Sequence, residues 1–330
     1  MTQQYSREKL KMAAPEELDG LRKRLEKQLP HSSLIHGALL ANAAYEGALD
    51  VAGTKIFHSD HSSLVVATPT ITFRGIQSIA FFWDEEEDDQ EVSAMLATVP
   101  SIDWKESIFI YASPLVLMKK METWISKGIL GEGFLESVEI THTYYYSLTS
   151  WPATEISLPD GYEIRDLQKE NAQFMMNNWT YNGGETKEGY EHMVTTVPGV
   201  GVFVSKEESG RKEKKCLINS ESKQPEKSDE TTFDRQVDDP VAWTQLSFFN
   251  YFTNTFTLPA HRGLGLAKAV TVALAKRALR DTGFASTYIV VNNDVSIAMH
   301  EKLGFTRHHE VGFQYYKSKL HPLEPYIENL

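Results

Sequence analysis

One stretch constrains this chain more than any other: Phe252 to Arg280, FTNTFTLPAHRGLGLAKAVTVALAKRALR. A Thr- and Phe-rich extended run stops at Pro259. After Arg262 a helical period begins, with Leu264, Ala267, Val270, Leu274 and Ala278 on one face. The unit is strand, turn, helix. Its turn holds Arg262, Gly263 and Gly265, with small or apolar residues around them and no carboxylate. The first amides of a helix lack intrahelical partners and the aligned peptide dipoles put partial positive charge there, so such an end attracts phosphate. Glycine lets a pyrophosphate approach the backbone, and Arg262 adds a fixed charge. The same glycines equally suit a plain tight turn, and this stretch alone leaves both readings open.

The residues beyond the helix narrow the choice. Gly283 suits a left-handed helix terminator, Thr287 to Val291 is an apolar strand, and then comes NNDVSIAMHEKLGF, residues 292–305. An Arg-x-x-Gly-x-Ala turn (Arg262, Gly265, Ala267) leading through a strand to this segment resembles the two most diagnostic motifs of the GNAT superfamily of N-acetyltransferases.

At 330 residues, 41% hydrophobic and 11% aromatic, the chain suggests two domains or one large one with ordinary globular cores. No apolar run approaches the roughly 20 residues needed to span a bilayer. The first thirty residues are charged and amphipathic rather than a secretory leader, and Glu8, Glu16, Glu17 and Asp19 argue against a matrix-targeting peptide. A cytoplasmic location is expected, with the mitochondrial matrix as the second choice. The single cysteine, Cys216, excludes an internal disulfide framework. A net charge of −12 disfavours non-specific nucleic-acid binding. No metal site is expected: the acidic run Asp84 to Glu91 has no histidine or calcium-loop glycine to pair with, and is a solvated loop or helix start.

Taken in order, Pro15 to Leu29 is an opening amphipathic helix, with Leu18, Leu21, Leu25 and Leu29 at helical spacing. Short strands separated by turns are expected from Leu34 to Ala80, a strand at Asp103 to Tyr111, a helix at Met118 to Ile129 and a strand at Val138 to Leu148. Pro152 and Pro159 mark a boundary, which divides the chain into 1–150 and 151–330. In the second part Tyr162 to Leu167 is a strand, Glu170 to Trp179 and Lys187 to Val197 are helices, and Val200 to Val204 is a strand. A charged insertion of low hydrophobicity runs over about 205–238. Strands at Val241 to Asn250 and Val311 to Lys317 complete an α/β (α+β) order with a mostly antiparallel sheet and a parallel step near its centre.

Three further stretches, IDWKESIFIYAS, MNNWTYNGGETKEGYEHMVTTVPGVGVF and PVAWTQLSFFNYFTNTFTLPAHRGLGL, resemble the glycine N-acyltransferase family. The likeness implies two GNAT-like domains in tandem, the first degenerate. An unrelated α/β support domain is the other reading of the first half. It further implies an acyl-CoA or acetyl-CoA co-substrate, no metal, and direct attack by a small amine or amino acid in a ternary complex. Thr255, Phe256 and Thr257 would offer backbone groups to pantetheine. Arg262, Gly263, Leu264, Gly265, Leu266, Ala267 and Lys268 would wrap the pyrophosphate, and Asn293 would reach the cofactor. Trp179, Tyr181 and Asn182 would line the acceptor side.

The catalytic groups depart from the family pattern. His300 stands where the superfamily commonly has a tyrosine near the departing sulfur, and either serves as general acid or is an exposed helix histidine. Tyr251 stands where the family has a basic glutamate. A phenol is a poor base, with an unperturbed pKa near ~10. Water held by Tyr251, Asn250 or Ser247 is the preferred relay, with His261 ranked below it. Two rival functions remain: a catalytically silent acyl-CoA-binding or scaffold protein, and a protein-lysine or N-terminal acetyltransferase.

Overall fold

The computed structural model describes residues 9–70, 76–151, 155, 157–179, 186–205 and 238–322. Tyr181, Asn182, Cys216 and nearly all of the charged insertion lie outside them. The elements of the first part are β1 (Lys11–Met12), α1 (Leu18–Glu26), α2 (Ser33–Ala44), α3 (Ala48–Val51), β2 (Lys55–His58), β3 (Val65–Thr68), β4 (Gln77–Phe82), α4 (Asp89–Leu96), β5 (Ile108–Pro114), α5 (Leu115–Ser126) and β6 (Leu135–Leu148). The second part comprises β7 (Tyr162–Asp166), α6 (Ala172–Asn178), α7 (Lys187–Thr196), β8 (Gly199–Val204), β9 (Ala242–Leu246), β10 (Phe252–Thr257), α8 (Leu266–Thr282), β11 (Ala285–Val290), α9 (Asp294–Lys302) and β12 (Thr306–Ser318).

Most elements lie where periodicity puts them. The departure is α2, in the stretch expected to hold strands. Its sequence SLIHGALLANAA is apolar on nearly every side, and eight of its twelve residues are buried, so no one-sided stripe marks it as a helix. It is a core helix, wedged between both parts of the molecule.

All twelve strands form one sheet, in the order β1-β2-β3-β4-β5-β12-β6-β11-β10-β9-β8-β7. Pairing is antiparallel except at β4–β5 and β10–β11. The two α/β halves expected from the sequence are present, each a mixed sheet with flanking helices. What periodicity does not show is how they join. The long strand β6 leaves the first half to pair with β11, from Ala285↔Leu148 to Val290↔Thr143. The last strand, β12, returns to pair with β5, for example Val311↔Pro114. The two then pair with each other along most of their length, and each half closes the other's sheet.

Two apolar cores result. One holds Trp83, Met121, Trp124 and Tyr145; the other holds Tyr146, Trp243, Leu274 and Phe305. Consecutive tyrosines on β6 thus enter different cores, because successive side chains of a strand point to opposite faces. The same alternation explains why the YYY run carries no polar face.

Candidate functional site

Strand β10 is where the sheet opens. Against β9 it is paired at both ends, but its register shifts between Thr253 and Phe256. Against β11 it has one pair, Phe252↔Thr287. From Asn254 to Thr257 no strand among the described residues pairs with the edge facing β11, so these backbone groups border a gap. The bulge centres on Asn254, whose φ of 57° lies in the left-handed region. A bulge bends the strand away from its neighbour, and Asn tolerates this conformation better than most residues. Asn254 is 2% exposed. Its Oδ1 accepts from the Thr253 hydroxyl at 2.9 Å, while its Nδ2 is buried without a hydrogen-bond partner. Leaving such an amide unmatched costs on the order of 1–3 kcal/mol.

The gap leads to the Gly-rich turn. The chain leaves β10 through the short 3-10 helix Pro259–His261, and α8 starts at Leu266 with Gly265 as its N-cap. Gly263 (φ +79°) and Gly265 (φ +75°) are left-handed, and an added Cβ at either would meet nothing within 4 Å. Glycine is therefore required by the backbone, and open space surrounds it. The first helical bond is donated by Ala269 to the Gly265 carbonyl at 3.1 Å, so the amides of Leu266, Ala267 and Lys268 have no intrahelical partner. No acidic residue stands in the first turn. Arg262 and Lys268 are exposed beside it. The Arg262 Nε donates to the Thr257 carbonyl at 3.1 Å, and its guanidinium lies 5.7 Å from the centre of the Phe256 ring. That anchors the guanidinium at the rim of the turn.

The first half shows the opposite chemistry at its matching position. There β4 pairs in parallel with β5 and runs into α4, whose N-terminus is closed by its own sequence: the Asp88 carboxylate accepts from the amides of Gln90 and Glu91 at 2.8 and 3.0 Å. Asp89 and Glu91 add negative charge to the same turn. A phosphate would meet a carboxylate there. The acidic run is thus a helix cap.

The remaining cofactor-side residues take varied places. Thr255 is exposed, its hydroxyl 2.8 Å from that of Thr244; Phe256 packs on Trp243 with centroids 5.1 Å apart; the Thr257 hydroxyl is buried without a hydrogen-bond partner. Leu264 is exposed at the rim of the turn, whereas Leu266 is buried beneath α8. Asn293 caps α9, its Oδ1 accepting from the Ser296 amide at 3.1 Å, which leaves the Nδ2 as its outward group. Trp179 is half-buried at the end of α6.

His300 is 3% exposed. Its Nδ1 donates to the Ser296 carbonyl at 2.8 Å, and its ring stands edge-on to Phe305 with centroids 5.1 Å apart. Burial pushes the imidazole below the usual histidine range, outweighing the pull of that carbonyl. A neutral ring with its proton on Nδ1 has none to give from Nε2. The expectation of an exposed helix histidine is corrected: the ring is buried against Phe305.

Asn250 and Ser247, expected to hold a relaying water, build the turn before β10, and the Asn250 Oδ1 is buried without a hydrogen-bond partner. Asn250 is 0% exposed and left-handed (φ 56°). Its carbonyl accepts from the Ser286 hydroxyl at 3.0 Å, and the Ser247 Oγ accepts from the amides of Phe249 and Tyr251 at 3.2 and 3.3 Å. Tyr251 is half-buried, its ring edge-on to Tyr288 at 5.0 Å. His261 is held by the Tyr162 hydroxyl at 2.9 Å, beside the Gly-rich turn. Among the described residues no group of His, Cys, Asp and Glu is arranged to hold a metal, and no helix is long and apolar enough to cross a membrane.

A hollow of about 290 Å³ lies elsewhere, lined by Tyr45, Asp166, Lys169, Thr195, Gly199 and Arg277 among others. Arg277 is eleven residues from the start of α8, roughly 16 Å along the helix. Its guanidinium is already matched by Asp166 at 2.9 Å.

Sequence reasoning missed Asn254. The signal for it was an asparagine in the middle of FTNTFT, since Asn is depleted in strands and marks left-handed turns or bulges.

Comparison with known proteins agrees with this geometry. The family model described as FR47-like protein matches residues 233–313, the span from just before β9 into β12. No curated protein matches the chain. Among solved structures, a Drosophila protein is similar over 94% of this chain and 99% of its own, with 15% identity and a TM-score of 0.73. A tandem GNAT protein from the clavulanic acid biosynthesis pathway is similar over 96% of this chain and 99% of its own, with 13% identity and a TM-score of 0.50. The fold is thus similar to that of a tandem GNAT protein, and the segment matched by the FR47-like model is the one that holds β9, β10, the Gly-rich turn and α8.

Proposed function

We propose that this protein is an acyl-CoA-dependent N-acyltransferase whose acceptor is the amine of a small molecule, with glycine and other amino acids as first candidates. One observation carries the reading: the gap between β10 and β11 runs into a helix N-terminus whose amides have no intrahelical partner, whose first turn holds no acidic residue, and beside which Arg262 and Lys268 are exposed. A pyrophosphate matches that end in charge and in hydrogen-bond demand. From Leu258 back to Asn254 the strand spans about 13 Å at ~3.3 Å per residue, a path comparable to an extended pantetheine arm. Its carbonyls and amides would hold that arm as a neighbouring strand would.

In the reaction the amine lone pair attacks the thioester carbonyl, the carbon–sulfur bond breaks, and sulfur leaves with the electron pair. The nitrogen gives up one proton and the thiolate gains one. Holding both reactants in one site supplies much of the acceleration. Tyr251, at the start of β10, and Trp179 would border the acceptor, with water carrying the proton. The acidic turn of α4 leaves acyl-CoA binding to the second half. The reading is tested by replacing Gly265 with valine. Its left-handed backbone costs roughly 1–2 kcal/mol with a side chain present, and no neighbour within 4 Å is struck. The expected result is a folded protein that has lost stabilisation by acyl-CoA. Unchanged acyl-CoA affinity would refute the phosphate-turn assignment.

A second reading, a silent acyl-CoA-binding protein, draws on the absence of a carboxylate at Tyr251 and on the burial of His300. Release of free thiol from acetyl- or benzoyl-CoA with any amino acid or amine excludes it.

A further inference from the structure

We propose that the acceptor amine carries an aromatic ring, and that this ring seats in a cup of aromatic side chains on the sheet face beside the β10–β11 gap. The assignment rests on the acyltransferase reading above and narrows its acceptor, since glycine has no side chain to place there.

The direction of attack selects the face. A pantetheine arm held as a neighbouring strand lies in the plane of the sheet, so its thioester, planar like a peptide, turns its two π faces toward the two faces of the sheet. The amine lone pair must reach the carbonyl carbon along one of them. The carbon–nitrogen bond forms, the carbon–sulfur pair leaves with sulfur, and the amine proton passes through water to the thiolate. On one sheet face the closed end of the gap is filled: Phe252, Ile289 and Phe305 are 3%, 3% and 4% exposed and belong to the second core. On the opposite face stand Tyr251 and Tyr288, one step along each strand and both half-buried. The amine therefore arrives over these two rings.

What it meets there is a circuit of rings. Tyr251 stands edge-on to Tyr288, with centroids 5.0 Å apart, and Tyr288 edge-on to Phe313 at 5.7 Å. Phe313 stacks on Phe109 at 6.4 Å, Phe109 is edge-on to Tyr111 at 5.1 Å, and Tyr111 meets Phe249 at 5.1 Å. Phe249 and Tyr251 share the turn built by the Ser247 hydroxyl, so the circuit closes. All of these rings except Phe249 are half-buried, and the first half supplies Phe109 and Tyr111 from β5. So many rings left part-open together on one sheet face mark a binding surface. Aromatic side chains gain from edge-to-face contact, and a further ring entering the cup finds both edges and faces. A cation is the other guest that aromatic rings accept. Burial pushes the Tyr288 phenol above its ordinary value, the Ser33 hydroxyl opposing it, and among the described residues no carboxylate acts on it. The cup matches a ring better than a charge.

The experiment measures kcat/KM for thiol release from acetyl-CoA with phenethylamine, ethylamine, putrescine and glycine, in the native protein, in Phe313→Ala and in Phe313→Leu. Phenethylamine should exceed ethylamine by roughly 10–10²-fold, the effect of burying one phenyl ring, and mainly through KM. In Phe313→Ala that ratio should fall by about threefold to tenfold. Phe313→Leu keeps an apolar side chain in case alanine disrupts folding, and should lower the ratio less. A defect in the fold alone lowers both amines alike and does not move the ratio. Equal values for phenethylamine and ethylamine, or a preference for putrescine or glycine, would overturn the assignment and leave the acyltransferase reading standing. A preference for phenethylamine that survives both substitutions undiminished would overturn the seat at these rings. Thiol release with none of the amines would overturn the acyltransferase reading, and this assignment with it.

Discussion

Replacing Gly37 with alanine sets two known effects against each other. Gly37 sits within α2, where alanine is favoured over glycine by about 1 kcal/mol. Yet a Cβ at this position would lie 2.2 Å from the Phe249 carbonyl oxygen, 3.2 Å from its carbon and 3.5 Å from the Asn250 Cβ. An ordinary carbon–oxygen contact is about 3.3–3.6 Å, so one of the two backbones must retreat by roughly 1 Å. Neither is free to do so. The helix is buried on most of its surface, and the turn it meets is tied by the Ser247–Tyr251 backbone bond at 2.9 Å and by Ser286 to the Asn250 carbonyl. Overpacking costs about 1–3 kcal/mol, and a 2.2 Å contact between two tied backbones belongs at the upper end of that range, so the strain outweighs the propensity gain and the net loss is up to about 2 kcal/mol. The same turn positions Tyr251 and the start of β10, so acyl-CoA affinity should fall as well. Urea unfolding read by tryptophan fluorescence measures the loss. Gly20→Ala in α1 is the matched control: nothing lies within 4 Å of its Cβ, and it should stabilise by about 0.5–1 kcal/mol. A Gly37→Ala protein as stable as the native one would refute the close-packing argument.

His36 supplies a pH test. Both its ring nitrogens are buried without hydrogen-bond partners, and burial holds its pKa at about 4. The unfolded chain therefore binds the proton first, so stability is retained above about pH 6.5 and declines as the pH falls toward 4; relative to pH 7 this one group costs about 3 kcal/mol at the lower end. Urea midpoints between pH 7 and pH 4 should decline less steeply for His36→Leu, and parallel profiles would refute the attribution. Asp88→Ala removes two cap bonds from α4 and should cost about 1 kcal/mol in the same unfolding assay. It should confer no acyl-CoA binding on the first half, because Asp89 and Glu91 remain in the first turn. Acyl-CoA protection that persists in the Asp88→Ala, Gly265→Val double variant would refute the assignment of binding to the second half alone.

The sequence by itself determined the strand, the Gly-rich turn and the helix from Phe252 to Thr282, because strand and helix periods, Pro259 and the two glycines are all local signals. It also determined the helix end at Gly283, whose φ of 72° requires a residue without a Cβ penalty. Tertiary structure decided three things that no local window contains. Helix α2 is apolar on all sides, so only its burial between the halves identifies it. The exchange of β6 and β12 depends on pairing between residues more than a hundred positions apart, which a strand's own alternation cannot specify. Burial and partners were likewise set by the fold: His300 became a packed ring with its Nδ1 on the Ser296 carbonyl, Asn250 part of a turn, and Asn254, which the sequence did not single out, a bulge residue with an unmatched Nδ2. A side chain's chemistry is written in the sequence, but whether its hydrogen bonds are already spent is settled only when the chain has folded around it.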